Sequence, residues 1–278
     1  MKQKDRIQKK MGSEGFESYY SSIYKERWPI LKAALLDSVN QSEFNAGGNE
    51  SYFLDRASVR AVCSLPLDNA KSILDMCAAP GGKSLILATS MEKDASLLCN
   101  ERSAERRLRL VHNIQNCLPE EVQNRITVIG KDGGLLCLSK ENRFDRILLD
   151  APCSSERHVL QDENYLKDWS PSRVKKLSFA QWTLLSSAWR MLNQNGYLLY
   201  STCAMNQDEN DCVIERLLKK FDDVQIFSPE IAIDVSSFCS KDLPQGEKTE
   251  FGVQILPDIC ENSGPIYFSL LHKKIFKI

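Results

Sequence analysis

Two strand-like runs each deliver a cysteine to their far end. ILLDAPC (147–153) carries apolar residues into Asp150, Pro152 and Cys153, and LLYSTC (198–203) carries them into Ser201, Thr202 and Cys203. A thiol attacks as its thiolate, and at pH 7 an unperturbed cysteine is ionised only to roughly a few per cent. Such a nucleophile needs positive potential close by. Lys83 and nearby helix N-termini are the candidates to supply it. Asp150 is not, because its charge disfavours a thiolate; it is better suited to hydrogen-bonding an amino-substituted ring.

A third chemical feature lies upstream. LDMCAAPGGKS (74–84) sets a Gly-Gly turn between a strand and a helical stretch. That arrangement permits positive φ, close approach of backbone to a ligand, and a helix N-terminus facing negative charge. Read as a phosphate loop, G-x-x-x-x-G-K-[ST], it has Cys77 in the first glycine's place, and Pro80 removes an N–H donor. With ILLD as the acidic partner, a nucleotide hydrolase is the rival reading. Glu101 follows about twenty residues beyond the glycines, where dinucleotide-binding folds place the carboxylate for ribose hydroxyls. Asp132, in KDGG, could reach the base of the same nucleoside.

These residues must be held by elements, and strand and helix signals alternate from residue 71 onward. Strands are expected at 71–77, 95–101, 125–130, 143–150 and 196–202, with later candidates in VQIF and PIYFSLL. A helix over 103–118 would place Leu108, Val111 or His112, and Gln115 or Cys117 at compatible spacings. A polar loop spans Ala151 to Trp169, in which His158, Tyr165 and Trp169 could stack on bases. Ser170-Pro171 reads as N-cap and first helical position. That helix runs to about Leu192, with Val174, Leu177, Leu184, Leu185 and Ala188 inward and Gly196 in its C-cap region. The pattern predicts a mostly parallel sheet with helices on both faces, and ligands in such sheets bind beyond the carboxyl ends of the strands. One rim would then collect Asp75, Cys77, Glu101, Asp132, Asp150, Cys153 and Cys203. Residues 1–65 read as a helical N-terminal extension, with Tyr20, Ile23, Tyr24, Trp28, Leu31 and Leu35 as a packing stripe, and residues 66–278 as the main domain.

Composition excludes little. The 278 residues are 42% hydrophobic and 26% charged with a formal net charge of −1, so bulk charge neither favours nor opposes a polyanion. Basic segments at 1–10, 105–109 and 272–278 could follow a phosphate backbone; each of them, like the acidic NQDENDC (206–212), reads equally as solvated surface. No run reaches the ~18 apolar residues of a membrane span, and no signal-peptide pattern opens the chain, so cytoplasm is expected, with a mitochondrial site open for a eukaryotic source. The ten cysteines include no CxxC or CxxH pair, which leaves zinc without support and makes most of them reduced core residues.

Taken together, LDMCAAPGGKS, LLDAPCS and YSTCA resemble the RNA (cytosine-5) methyltransferases of the Sun/Fmu family. The resemblance extends over roughly residues 50–271, and RWPILKAALL and LPDICENSGPIYFSLL look most like the mitochondrial ribosomal-RNA branch. It implies an α/β fold, a Rossmann-like class I methyltransferase sheet with a small helical N-terminal extension that contacts RNA. It also implies S-adenosyl-L-methionine as cofactor, held by Cys77, Ala78, Ala79, Pro80, Gly81, Gly82, Lys83, Glu101, Arg106, Asp132, Gly133 and Asp150. By the same resemblance Cys203 adds to carbon-6 of cytosine, Asp150 holds the base, and Cys153 assists proton removal or release, with Lys83 beside them. Ribosomal RNA is favoured as target over tRNA. A monomer is expected, with no metal and no membrane, and a partner protein could aid targeting. A silent RNA-binding factor of the same fold is a second rival.

Overall fold

The computed structural model describes residues 11–139, 143–236 and 242–275. The basic segment 1–10 and the last three residues of the basic tail lie outside them. In chain order the first elements are α1 (Gly12–Tyr24), α2 (Trp28–Leu36), a hairpin of β1 (Gln41–Phe44) and β2 (Tyr52–Asp55), and α3 (Arg56–Val62). There follow β3 (Ser72–Asp75), α4 (Gly82–Ser90), β4 (Ser96–Asn100), α5 (Ala104–Cys117), α6 (Glu120–Gln123), β5 (Ile126–Ile129) and β6 (Phe144–Asp150). The second half holds α7 (Glu156–Gln161), α8 (Glu163–Lys167), α9 (Pro171–Met191), β7 (Leu192–Thr202) and α10 (Asp211–Lys220), then β8 (Val224–Phe227), β9 (Glu247–Lys248), β10 (Val253–Ile255) and β11 (Ile266–Lys273).

The main sheet has the order β5-β4-β3-β6-β7-β11-β10-β9, with β8 also on β11. β5 through β7 are mutually parallel, while β11 runs antiparallel to β7. Strands covered on both faces need apolar side chains on both, which is why Ile147, Leu148 and Leu149 are all buried in succession. From β3 the chain first builds outward through β4 and β5, then returns to add β6 and β7 on the other side. The switch point therefore lies between β3 and β6, where open α/β sheets bind ligands.

Several expectations shift. In α5 the inward positions are Leu110, Ile114 and Cys117, and Leu108 is 73% exposed, so the helix is rotated from the phase that Leu108 would set. The segment 151–169 is not a bare loop but carries α7 and α8. Ser170 makes no capping bond, its hydroxyl lying against Ser172 Oγ, although Pro171 does open the helix. Gly196 falls inside β7 rather than at a helix end; the chain turns straight from Met191 into strand, with Asn195 at positive φ. Within NQDENDC, Asn206, Glu209, Asn210 and Asp211 are buried. Among the described cysteines, Cys212 is exposed while Cys63, Cys99, Cys117 and Cys137 are buried.

Trp169, expected to be available for stacking on bases, is fully buried. It belongs to an aromatic core that joins Phe16, Tyr20, Trp28, Leu31 and Leu35 to Val159, Val174, Met205 and Leu256. Ile23 of the expected stripe faces solvent instead. The first two helices are thus packed against the segments that follow β6 and β7. Trp169→Ala should lower unfolding free energy by about 3–5 kcal/mol, read as a shift of the urea midpoint; an unchanged midpoint would show that the aromatic core carries no such weight.

Candidate active site

Asp150 closes β6 and Ser201 stands beside it on β7, and this pairing aims the carboxylate. Ser201 Oγ donates to Asp150 Oδ1 at 2.8 Å, and Lys83 Nζ donates to Oδ2 at 2.8 Å. Lys83 comes from the first turn of α4 and also reaches Ser58 Oγ. Burial would pull its ammonium down, but the Asp150 carboxylate, helped by Cys203 and Asp75, more than offsets this and leaves it raised. Lys83 is a permanent cation at the switch point. Cys153 lies three residues past β6 and Cys203 one past β7, and their sulfurs meet at 2.7 Å. Ser155 Oγ lies 3.2 Å from Cys203 Sγ and 3.6 Å from Cys153 Sγ. The hydroxyls of LLYSTC have separate tasks: Ser201 orients Asp150, and Thr202 donates to Asn210 Oδ1 and accepts from Ala204 N–H, which shapes the turn carrying Cys203.

Two of the rim cysteines are held as thiols by their surroundings. The hydrogen bond to Cys203, with burial, holds Cys153 well above the ordinary thiol range. Burial together with the Asp75 and Glu101 charges also pushes Cys77 far up. Both are neutral thiols at physiological pH, suited to proton handling or packing rather than attack.

The glycine turn leads from β3 into α4. Gly81, at φ +122°, occupies a region that residues with a Cβ avoid, and a Cβ there would also meet Leu110 at 3.1 Å. Arg106 reaches across from α5 to the Ala79 carbonyl at 2.6 Å and to Glu101 at 3.5 Å. Glu101 Oε1 accepts from Ser103 N–H, and Asp132 Oδ1 accepts from Gly134 N–H. Asn100, absent from the sequence-based expectations, staples three strand ends: it donates to the Met76 and Lys131 carbonyls and accepts from Lys131 N–H. Its only sequence signal was an amide at the end of an apolar strand.

Two cavities meet along this rim. One of about 350 Å³ is lined by Cys77, Glu101, Arg106, Asp132, Gly133 and Leu184, among others. A second, of about 530 Å³, holds Lys83, Asp150, Cys153 and Cys203, and shares Cys77, Arg106 and Pro152 with the first. Pro80, Gly81 and Gly82 border a smaller cavity under the β1–β2 hairpin, which they share with Ala78, Asp75 and Tyr52. Asp75 is buried, with Oδ2 accepting from Ser84 and Oδ1 unpartnered; burial pushes its carboxyl up to about 7. The expected residues thus fall along one continuous rim. No group of three or more His, Cys, Asp or Glu among the described residues could hold a metal ion.

Behind the thiols lies a network that sequence reading did not find. Glu156 and Glu209 are fully buried. Glu156 accepts from Tyr20 OH, Ser154 Oγ, Asn206 Nδ2 and Met205 N–H. Glu209 accepts from Ser154 N–H, Gln181 Nε2 and Asn206 Nδ2. The residue after Cys153 and the residues two and three past Cys203 are therefore tied to the same two carboxylates.

A family model described as 16S rRNA methyltransferase RsmB/F matches residues 62–272. The chain belongs to the RsmB/F family. Its relatives include the 5-cytosine rRNA methyltransferase NSUN4 of Xenopus tropicalis, 30% identical over 234 residues, covering 80% of this chain and 56% of that protein. Ribosomal RNA small subunit methyltransferase F of Aliivibrio fischeri is 36% identical over 180 residues, or 64% of this chain and 37% of the relative. The chain thus spans about half or less of the length of these RsmB/F relatives. The crystal structure of a methyltransferase homologue from Pyrococcus horikoshii superimposes with a TM-score of 0.71 at 19% identity, over 92% of this chain and 93% of that one, and shares the fold. RsmB/F membership leaves the phosphate-loop hydrolase reading without support.

The paired carboxylates make a pH prediction. Burial, then the Glu209 charge, pushes Glu156 up to about 7 from the 4.5 of an exposed glutamate. Folding therefore takes up a proton between those values, and this contribution to stability is full below about 4.5 and is lost as pH rises through about 7. Glu156→Gln cannot titrate. Its stability deficit relative to wild type should narrow between pH 5 and pH 8 in urea unfolding; a deficit that is constant or grows would contradict the assignment.

Proposed function

We propose that this chain is an S-adenosylmethionine-dependent methyltransferase that forms 5-methylcytosine in RNA, with ribosomal RNA as the target ahead of tRNA. The observation that carries the reading is the meeting of the Cys153 and Cys203 sulfurs beside the Lys83–Asp150 pair, next to a nucleoside-sized cleft. Both relatives are rRNA methyltransferases, which supports the choice of RNA.

The residues present fit the cofactor. Glu101 offers a carboxylate to ribose hydroxyls, Asp132 and Gly133 border the base, and the N-terminus of α4 suits a carboxylate. The orphaned Asp75 Oδ1 suits an ammonium group. Bound there, S-adenosylmethionine supplies an electrophilic methyl group. Carbon-5 of cytosine is a poor nucleophile, and the protein's task is to change that. Addition of the Cys203 sulfur to carbon-6 makes the ring enamine-like, so that carbon-5 becomes nucleophilic towards that methyl. Asp150, fixed by Ser201 and Lys83, accepts from the exocyclic amine, and from ring nitrogen 3 once that nitrogen takes up a proton as the sulfur adds. Removal of the carbon-5 proton and expulsion of the sulfur then restore the aromatic ring. Cys153, kept protonated, serves this release rather than the attack.

The target base must leave its stack to reach these atoms. The N-terminal segment, residues 1–65, is the part we assign to RNA contact ahead of the methyltransferase domain, 66–278. In support, the β1–β2 hairpin walls the cavity beside Lys83 and turns Phe53 outward. The chain acts as a monomer, with a partner protein assisting the choice of RNA.

Cys203→Ala should abolish methyl transfer from labelled cofactor to ribosomal RNA while S-adenosylhomocysteine binds within about twofold of wild type; turnover that survives would remove Cys203 from its role. Cys153→Ala should accumulate a protein–RNA adduct, visible as a retarded band under denaturing electrophoresis, and normal product release without that band would dismiss the helper assignment.

A further inference from the structure

The cavity holding the two thiols is larger than its reacting corner requires. At about 530 Å³ it lies in the range that takes a drug-sized ligand, more than one pyrimidine ring. Asp150, Lys83 and the two sulfurs occupy one part of its wall. His158 from α7, Tyr165 from α8 and Arg173 from α9 form another part of the same wall.

That outer wall has a coherent chemistry. The His158 and Tyr165 rings lie 4.7 Å apart, tilted at 54°, and both side chains are exposed, Tyr165 by 44%. The Arg173 guanidinium sits 5.9 Å from the centre of the Tyr165 ring. The other cations of the cavity are committed: Lys83 to Asp150, Arg106 to Glu101 and the Ala79 carbonyl. Arg173 differs, since its Nε is buried without a hydrogen-bond partner. An aromatic pair next to an unsatisfied guanidinium is the donor set that single-stranded nucleic acid calls for, a stacking face and a phosphate contact within one nucleotide's reach. A cytosine drawn out of its stack brings its own phosphates with it, and the neighbouring base loses a stacking partner.

We infer that His158, Tyr165 and Arg173 form a second subsite, which takes the nucleotide adjoining the target cytosine: its base stacks on the Tyr165–His158 face and the intervening phosphate meets Arg173. This deepens the proposed RNA methylation and rests on it. The subsite makes the chain sensitive to single-stranded character at two consecutive nucleotides, and its stacking face tolerates any base.

The test uses the full chain with S-adenosylhomocysteine and single-stranded RNA pentamers. Each pentamer has cytidine at the centre and the fluorescent base 2-aminopurine on its 5′ or its 3′ side. Wild type should quench one of the two pentamers by stacking. Tyr165→Ala should abolish that quenching and weaken pentamer binding about tenfold, whereas Tyr165→Phe should keep both. Arg173→Ala should weaken both pentamers and lower the salt dependence of binding by about one counterion. All three variants should bind S-adenosylhomocysteine like wild type, which controls for folding. Quenching that is absent in wild type, or retained in Tyr165→Ala, overturns the subsite while leaving the proposed methylation standing. A wild type that neither binds S-adenosylhomocysteine nor methylates ribosomal RNA would instead bring down the proposed function, and the subsite with it.

Discussion

Two carboxylates with no solvent access, Glu156 and Glu209, are satisfied by neutral donors drawn from four separate parts of the chain: α1, the segment after β6, the segment after β7, and α9. Buried carboxylates without enough donors would be costly, and loss of the Met205 N–H bond or the Asn206 amide would leave Glu156 Oε2 or Glu209 Oε1 unpaired in a low-dielectric site. That constraint explains why the two thiol loops cannot move independently. Ser154 and Asn206 each bond to both carboxylates, so the position of Cys153 is coupled to that of Cys203. The same constraint gives the first helix a structural reason to be present, since Tyr20 supplies one of the donors to Glu156.

The sheet supplies the second half of the geometry. Parallel pairing of β6 with β7 brings Asp150 beside Ser201, and parallel pairing of β3 with β6 sets the glycine turn on the neighbouring strand end. Lys83 then bridges from the turn to Asp150. Three adjacent strand ends and the loops that follow them thus deliver a cation, a carboxylate and two thiols to one place. The network behind the thiols ties the two loops that carry them to one another.

What was legible in the sequence follows from what is local. A strand ending in Asp-Ala-Pro-Cys or Ser-Thr-Cys announces a side chain at the rim, because ligand sites in this class of sheet lie past strand ends. The alternation of elements announces the parallel sheet for the same reason. What was not legible depends on partners far apart in the chain. Glu156 reaches Tyr20 and Met205, and nothing in NQDENDC distinguishes a buried Glu209 from a solvated one. Trp169 looked available because it lies in a polar stretch, yet α7 and α8 fold that stretch back so that the indole completes the aromatic core. Leu108 misled for a simpler reason: α5 has leucines at 108 and 110, and only the tertiary contact decides which one faces inward.

The central claim is that Cys203 bonds to the base whose carbon-5 is methylated, and one measurement addresses it directly. Ribosomal RNA transcribed with 5-fluorocytidine cannot lose a proton from carbon-5, so the covalent intermediate should persist when the full chain and S-adenosylmethionine are supplied. Protease and nuclease digestion followed by tandem mass spectrometry should then find the peptide containing Cys203 attached to a methylated fluorocytosine. Attachment through Cys153, or methylated RNA with no protein attached, would contradict the account.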